Sequence, residues 1–164
     1  YGRVNGMSGY NDFGVFGAFA VLMAVLSFIL VIFGIAFFIF FSFTLYKLAQ
    51  KRGLEMPWLA WIPIAQFYVL GMMVKSVKIS TFEVPKLEMV FPIASIACWI
   101  LGMIPFIGWL FTLAFYAFTI IVLYNLYNQY TPEKAKTYAL VSILGVTIPF
   151  IIKKLHNMEP VNLP

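Results

Sequence analysis

Residues that could carry catalysis are few and scattered in this chain of 164 residues. It has one histidine, His156, one cysteine, Cys98, and a single aspartate, Asp12. Intramembrane aspartyl proteolysis uses two aspartates, a zinc site uses clustered ligands, and a serine protease needs a base within hydrogen-bond reach of its serine. None of these requirements is met by isolated residues of this kind. The sequence therefore predicts no enzyme, no cofactor and no metal site.

Polar, aromatic and helix-breaking residues crowd one uncharged stretch, residues 56–74, hereafter the return segment. The candidates for interaction or packing are Trp58, Trp61, Pro63, Gln66 and Tyr68. Tryptophan favours the membrane–water interface, so the two tryptophans either anchor the stretch or contact a partner. Proline frees a backbone carbonyl about one turn earlier, and the Gln66 amide and Tyr68 hydroxyl are close enough in sequence to bond to it. The same polar groups could instead face a pore or a ligand.

The composition predicts the kind of secondary structure that positions these residues. Apolar residues make up 63% of the chain and charged residues 10%, with a mean hydropathy of +0.95. Soluble domains are about 45–50% apolar and about 25% charged. The sequence thus predicts an all-α integral membrane protein, because a helix satisfies its own backbone groups in lipid. Its net charge of +5 comes from basic residues in short loops, which indicates anionic lipid rather than nucleic acid as the contact.

The lengths of the apolar runs predict about three full transmembrane helices and two short proline-broken segments that enter and leave on one side. Five short spans are the alternative. A spanning helix needs about 20 apolar residues, whereas the return segment has a proline near its middle and residues 138–152 are only 15 long. A turn is predicted where Gly102, Pro105 and Gly108 interrupt 42 uncharged residues.

One membrane domain, residues 1–164, is therefore expected. Its predicted parts are a flexible lead-in 1–12, a span 13–46, the return segment 56–74, a helical hairpin 89–103 and 106–127, a short apolar segment 138–152 and a tail 153–164.

Basic residues flank both short segments, and loops rich in lysine and arginine stay on the cytoplasmic side. We therefore expect a multi-pass protein of the cell membrane with its N-terminus outside and its C-terminus in the cytoplasm. The predicted contacts to anionic lipid are Lys47, Lys51, Arg52, Lys75, Lys78, Lys153 and Lys154.

A similar order of features occurs twice. Leu-Tyr-x-Leu at residues 45–48 and again at 123–126 is followed by a polar loop and then by an Ile-Pro pair, at 62–63 and at 148–149. The spacing differs by several residues, so the match is in order and not in register. A duplication and a chance match both remain open.

Beyond residue 43 the sequence resembles a group of small bacterial membrane proteins of unknown function. The resemblance is carried by the pattern W-x-x-W-I-P-x-x-x-x-Y at residues 58–68 and by P-x-I-G at residues 105–108. In that group a Trp…Ile-Pro-x-x-Asn-x-Tyr stretch follows the first span, and Gln66 stands about where the asparagine does. The resemblance implies a polytopic architecture and a bacterial origin, and it implies no particular activity.

Three functions are compatible with this sequence. The leading hypothesis is a non-enzymatic small membrane subunit that scaffolds, stabilises or regulates a larger complex, with the bilayer and other membrane proteins or further copies of itself as partners. The alternative is a pore or flippase-like conduit built around the proline-broken segments. A third hypothesis is direct lipid handling at the basic cytoplasmic face.

Overall fold

Six α-helices, one 3₁₀ helix and one β-hairpin make up the part of the chain that the computed structural model describes, residues 8–79 and 82–163. The side chains of residues 8–13, 78, 79 and 82 lie outside that description. The chain forms two compact units, Tyr1–Ile39 and Phe40–Pro164. In chain order the elements are α1 (Ser8–Lys51), the 3₁₀ helix (Pro57–Trp61), α2 (Ala65–Val74), β1 (Val77–Ile79), β2 (Phe82–Val84), α3 (Leu87–Gly102), α4 (Gly108–Tyr130), α5 (Ala135–Ser142) and α6 (Ile148–His156).

Two of the described helices are long and apolar enough to cross a membrane, judged by length and composition: α1 over Gly14–Lys51, and α4. The sequence predicts three full spans. The predicted span 89–103 corresponds to α3, which has 16 residues. Its length of about 24 Å is shorter than the ~30 Å hydrocarbon core. The structure therefore supports two candidate spans with shorter apolar helices beside α4.

Helix α1 begins before and ends after the predicted span 13–46, so residues 8–12 of the predicted flexible lead-in are helical, and no proline interrupts the helix. Within the first unit, the side chains of residues 14–36 are all exposed. In the second unit, Leu45, Leu48 and Ala49 of the same helix are completely buried.

A tight turn joins α3 to α4 between Gly102 and Gly108, where the sequence predicts it. A Cβ atom at Gly108 would collide with the Gly102 carbonyl, so this approach requires glycine. Phe106 lies in the turn with a left-handed φ of 67° and is 95% exposed. Its carbonyl accepts a 2.8 Å hydrogen bond from Trp109 Nε1.

The predicted linker after α2 contains a small antiparallel hairpin, β1 paired with β2, in which Val77 is opposite Val84. Its base is closed by a 2.9 Å hydrogen bond from the Leu87 N–H to the Lys75 carbonyl. Both Lys75 and Lys86 have positive φ, which lets the chain leave α2 and enter α3 abruptly. Val77 is fully buried and attaches the hairpin to the core.

The core of the second unit forms where α2, α3 and α4 pack together. Gly71 of α2 lies so close to α3 that an added Cβ would be 2.6 Å from the Glu88 Cα. The largest completely buried side chains include Tyr127, Phe91, Leu45, Leu48, Met73 and Leu123. Close helix contact at small residues is typical of packing in a bilayer.

Candidate functional site

The return segment consists of two short helices joined by a bend. The 3₁₀ helix ends at Trp61, α2 begins at Ala65, and Pro63 lies between them. Trp58 is 54% exposed and Trp61 43% exposed, so both tryptophans present much of their surface outward rather than filling the core. This placement suits either predicted role, anchoring at an interface or contact with a partner.

The amide of Gln66 holds the bend against α1. Its Nε2 donates to Ser42 Oγ at 2.9 Å and to the Ala60 carbonyl oxygen at 3.0 Å. In a 3₁₀ helix that carbonyl would accept from residue 63, which is Pro63 and has no N–H. Gln66 is only 8% exposed, and both N–H groups of its amide are used inside the protein. The amide therefore satisfies a carbonyl freed by proline, one residue after the position near Leu59 that the sequence indicates.

Tyr68, the other polar candidate in the segment, has a different environment. Its side chain is half-buried, and its hydroxyl makes no hydrogen bond within the described part of the chain. The predicted help of Tyr68 in satisfying freed backbone groups is thus not seen in this structure.

Arg52 and Gln129 together cap the end of α2. Arg52 Nη2 donates to the Met73 carbonyl at 2.7 Å, and Nη1 donates to Gln129 Oε1 at 2.8 Å. Gln129 Nε2 donates to the same Met73 carbonyl at 3.2 Å. Carbonyls in the last turn of a helix lack intrahelical partners and carry partial negative charge, so a guanidinium there is favourable. This cluster was not found by sequence analysis, which assigned Arg52 to lipid.

The return segment starts and finishes at the same end of the second unit. Arg52, just before the segment, donates to the carbonyl of Met73, which is next to its last residue. Midway along the segment, Gln66 bonds to Ser42, which is ten residues before Arg52 and therefore ~15 Å away along α1. The chain thus runs back beside α1 and comes down again through α2. The return segment therefore turns back within the second unit.

The second short apolar segment has the same form. Helices α5 and α6 are joined by a bend at residues 143–147. The hydroxyls of Tyr127 and Ser142 are 2.8 Å apart, and Tyr116 donates to the Ile143 carbonyl at 2.6 Å. The segment starts just after α4 and ends at His156, whose carbonyl accepts a 3.0 Å bond from Lys51. It too begins and ends near the close of α1.

The C-terminal tail folds over that common end. Lys51 Nζ donates to the Met158 carbonyl at 2.8 Å and pairs with Glu159 at 2.8 Å. The N–H groups of Val161 and Asn162 donate to the Gln129 carbonyl at 2.7 and 3.0 Å. Lys51, like Arg52, therefore has protein partners although both were predicted to contact lipid.

The other predicted lipid contacts are more open. Lys47 Nζ lies 4.7 Å from the Phe43 ring centroid and Lys153 Nζ lies 6.0 Å from that of Phe40. Lys154 Nζ lies 5.3 Å from the Tyr138 ring centroid instead. Lys75 is exposed at the end of α2, and Lys78 lies in β1 with its side chain outside the described part.

An apolar groove of about 400 Å³ opens between the bend of the return segment and the α3–α4 hairpin. The Ser95 hydroxyl in its wall donates to the Pro92 carbonyl, and the Thr112 hydroxyl donates to the Gly108 carbonyl. The groove therefore offers mainly hydrocarbon contact. Its lining residues are Pro63, Ile64, Phe67, Ser95, Ile96, Cys98, Trp99, Thr112 and Phe115.

This fold and site define a helical protein with two helices able, by length and composition, to cross a membrane and two short segments that turn back, one at a bend that contains Pro63 and one at a bend just before Pro149. Among the described residues there is no group of three or more His, Cys, Asp or Glu side chains that could hold a metal ion. No family model, curated protein or solved structure matches the chain. The resemblance to small bacterial membrane proteins therefore stays a prediction.

Proposed function

We propose that this protein is a small membrane subunit, without catalytic activity of its own, that scaffolds, stabilises or regulates a larger membrane complex. The observation that carries this proposal is the bare apolar surface of the first unit. Within Gly14–Lys51, the most apolar stretch of 18 residues contains no buried residue. Such a surface is suited to lipid and to the helices of other membrane proteins.

Glycines on this surface favour close approach of a neighbouring helix. A Cβ atom at Gly14, Gly17 or Gly34 would meet nothing within 4 Å. Glycine in a helix costs about 1 kcal/mol relative to alanine, yet small residues let helix backbones pack tightly in lipid. A second chain seated there would explain the use of glycine.

Polar side chains of the second unit support a structural rather than a chemical role. The hydrogen bonds of Gln66, Ser95, Thr112 and Tyr127 are made inside the protein. These bonds engage the amide and hydroxyl groups in holding the helices together, so the proposed function relies on the surface of the protein.

The test is association through the first unit. We expect the protein, purified in mild detergent and sized by light scattering and native mass spectrometry, to exceed the mass of a monomer. Gly17→Leu and Gly34→Leu are expected to abolish the association, while Val31→Leu, an equally exposed position that is already bulky, preserves it. A monomer in all four proteins would overturn the proposal.

The proposed topology places the common end of the two short segments in the cytoplasm and the N-terminus outside. Both short segments begin and end near basic residues, which supports this orientation. Ser76 follows the return segment and is half-buried, so Ser76→Cys in a Cys98→Ala background should be labelled by a membrane-impermeant maleimide only after the inner face is exposed. Labelling from outside would favour five full spans.

A pore or flippase-like conduit is the second candidate, because paired proline bends are one way to place backbone carbonyls at membrane depth. In the return segment, however, the freed Ala60 carbonyl is taken by Gln66 rather than left for a permeating species. Flux of ions or labelled lipid through liposomes that contain the pure protein decides between the two functions, and flux that Gln66→Leu alters would favour the conduit.

A further inference from the structure

We propose that a pocket between α1 and α6 binds a phosphate group, of the kind carried by the headgroup of an anionic phospholipid. The pocket has a volume of about 290 Å³, and its cationic wall is formed by Lys47 and Lys153. His156 and Asn157 complete the polar side. This inference rests on the proposed membrane location and adds a specific ligand to it.

Two ammonium groups share this pocket, and no acidic side chain lines it among the described residues. An anion that enters the pocket is attracted by both positive charges at once. Two neighbouring cations are engaged inside the protein, since Arg52 bonds to Met73 and Gln129, and Lys51 pairs with Glu159. Lys47 and Lys153 differ from these two cations because they line one pocket together.

Aromatic rings also line the pocket. Phe40 and Phe43 line it, and each lies under one of the two lysine ammonium groups. Phe150 of α6 packs on Phe40 with ring centroids 5.1 Å apart. A ligand that is anionic at one end and apolar at the other matches both kinds of lining, which describes a phospholipid better than a free phosphate.

The position of Lys47 along α1 agrees with a site for a lipid headgroup. Lys47 is the first charged residue after 34 uncharged ones, so it stands where the hydrocarbon-compatible part of the helix ends. Lysines near helix ends also reach toward the interface and compensate helix C-termini. Lys153 is in the last turn of α6, so it too lies near a helix end.

The matched pair for the test is Lys153→Gln and Lys154→Gln. These neighbours carry the same charge in the same turn of α6, but only Lys153 lines the pocket while Lys154 lies over Tyr138. Lys47→Gln removes the second ammonium group from the other helix. All three side chains are exposed, so the variants are expected to fold, which circular dichroism checks.

Protein in nanodiscs of phosphatidylcholine with a minority of phosphatidylglycerol is released into detergent, and the retained lipid is identified by native mass spectrometry. We expect preferential retention of phosphatidylglycerol that falls about fivefold in Lys47→Gln and in Lys153→Gln, as is typical for one basic residue at a membrane surface. The retention of phosphatidylglycerol by Lys154→Gln should stay within about twofold of the retention by the unmodified protein. Equal losses in Lys153→Gln and Lys154→Gln would show a diffuse surface effect and overturn the proposal.

Inorganic phosphate, titrated calorimetrically into delipidated protein, distinguishes the two sources of the group. Phosphate binding with the same dependence on Lys47 and Lys153, without lipid selectivity, would assign the pocket to a free phosphate and overturn the lipid assignment. Absence of both kinds of binding overturns the site altogether. Failure of the protein to enter nanodiscs would instead count against the membrane location on which the inference rests.

Discussion

Removing the Gln66 amide tests the return segment most directly. In Gln66→Leu a side chain of similar size keeps the buried volume but loses the bonds to Ser42 Oγ and to the Ala60 carbonyl. Both partners are completely buried, so water cannot easily replace the amide. The bend at Pro63 then has an unsatisfied carbonyl and one fewer attachment to α1.

The magnitude follows from the two bonds. Side-chain hydrogen bonds between helices in a membrane protein average about 0.6 kcal/mol and reach about 1.7 kcal/mol, whereas an unsatisfied buried carbonyl costs about 1–3 kcal/mol. We therefore expect Gln66→Leu to lower the free energy of unfolding by about 1–3 kcal/mol. In a chain of this length, each lost kcal/mol lowers the melting temperature by about 2–4 °C.

Reversible unfolding in mixed detergent micelles, followed by circular dichroism, measures this loss. Gln50→Leu is the matched control, because Gln50 is exposed on α1 and has no side-chain bond among the described residues. Combining Gln66→Leu with Ser42→Ala in a double-mutant cycle should give a coupling of at least about 0.5 kcal/mol. If Gln66→Leu and Gln50→Leu unfold at the same denaturant concentration, the structural role of the amide is refuted.

Three further changes test other parts of the fold by the same unfolding measurement. Arg52→Lys keeps the charge but replaces two separate guanidinium nitrogens, one on the Met73 carbonyl and one on Gln129 Oε1, with a single nitrogen. A loss of about 1–2 kcal/mol is expected, and no loss would contradict the capping role. Gly71→Ala forces a Cβ against the Glu88 backbone and should cost about 1–3 kcal/mol, whereas Gly34→Ala, which meets nothing, should be neutral or stabilising. Phe106→Gly should leave the free energy of unfolding about unchanged, whereas Phe106→Val should lower it by about 1 kcal/mol, because a β-branched residue disfavours φ near 67°. Equal stability of the two variants would argue against the left-handed turn.

Local features of the fold could be predicted because they depend on neighbours in sequence. Uncharged run length places α1 and α4, and the glycines and proline of residues 102–108 place the turn between helices. The need for a donor near Pro63 also follows from local chemistry, since proline lacks an N–H. Gln66 was found on that basis, and the structure shows its amide at the predicted task.

Partners distant in sequence could not be predicted. Ser42 is separated from Gln66 by 24 residues, and Gln129 from Arg52 by 77. A basic residue beside an apolar run has the same sequence signature whether it contacts lipid or caps another helix, so Arg52 was grouped with Lys47. The hairpin of β1 and β2 was missed because strands of three residues are too short to show an alternating pattern.

The structure also gives a physical reason why the two Ile-Pro segments match in order and not in register. Ile62 comes 11 residues after the end of α1, whereas Ile148 comes 18 residues after the end of α4. The stretch between α1 and Ile62 is partly extended and partly 3₁₀, and the stretch between α4 and Ile148 contains the α-helix α5. An extended chain advances about 3.3 Å per residue and an α-helix about 1.5 Å, so a stretch that contains a helix needs more residues to cover the same distance. The attachments differ as well, since an amide on the first segment meets a serine of α1 while a serine on the second meets a tyrosine of α4. Each segment pairs polar groups where it turns back, and this shared requirement is compatible with a repeated order that has no repeated sequence.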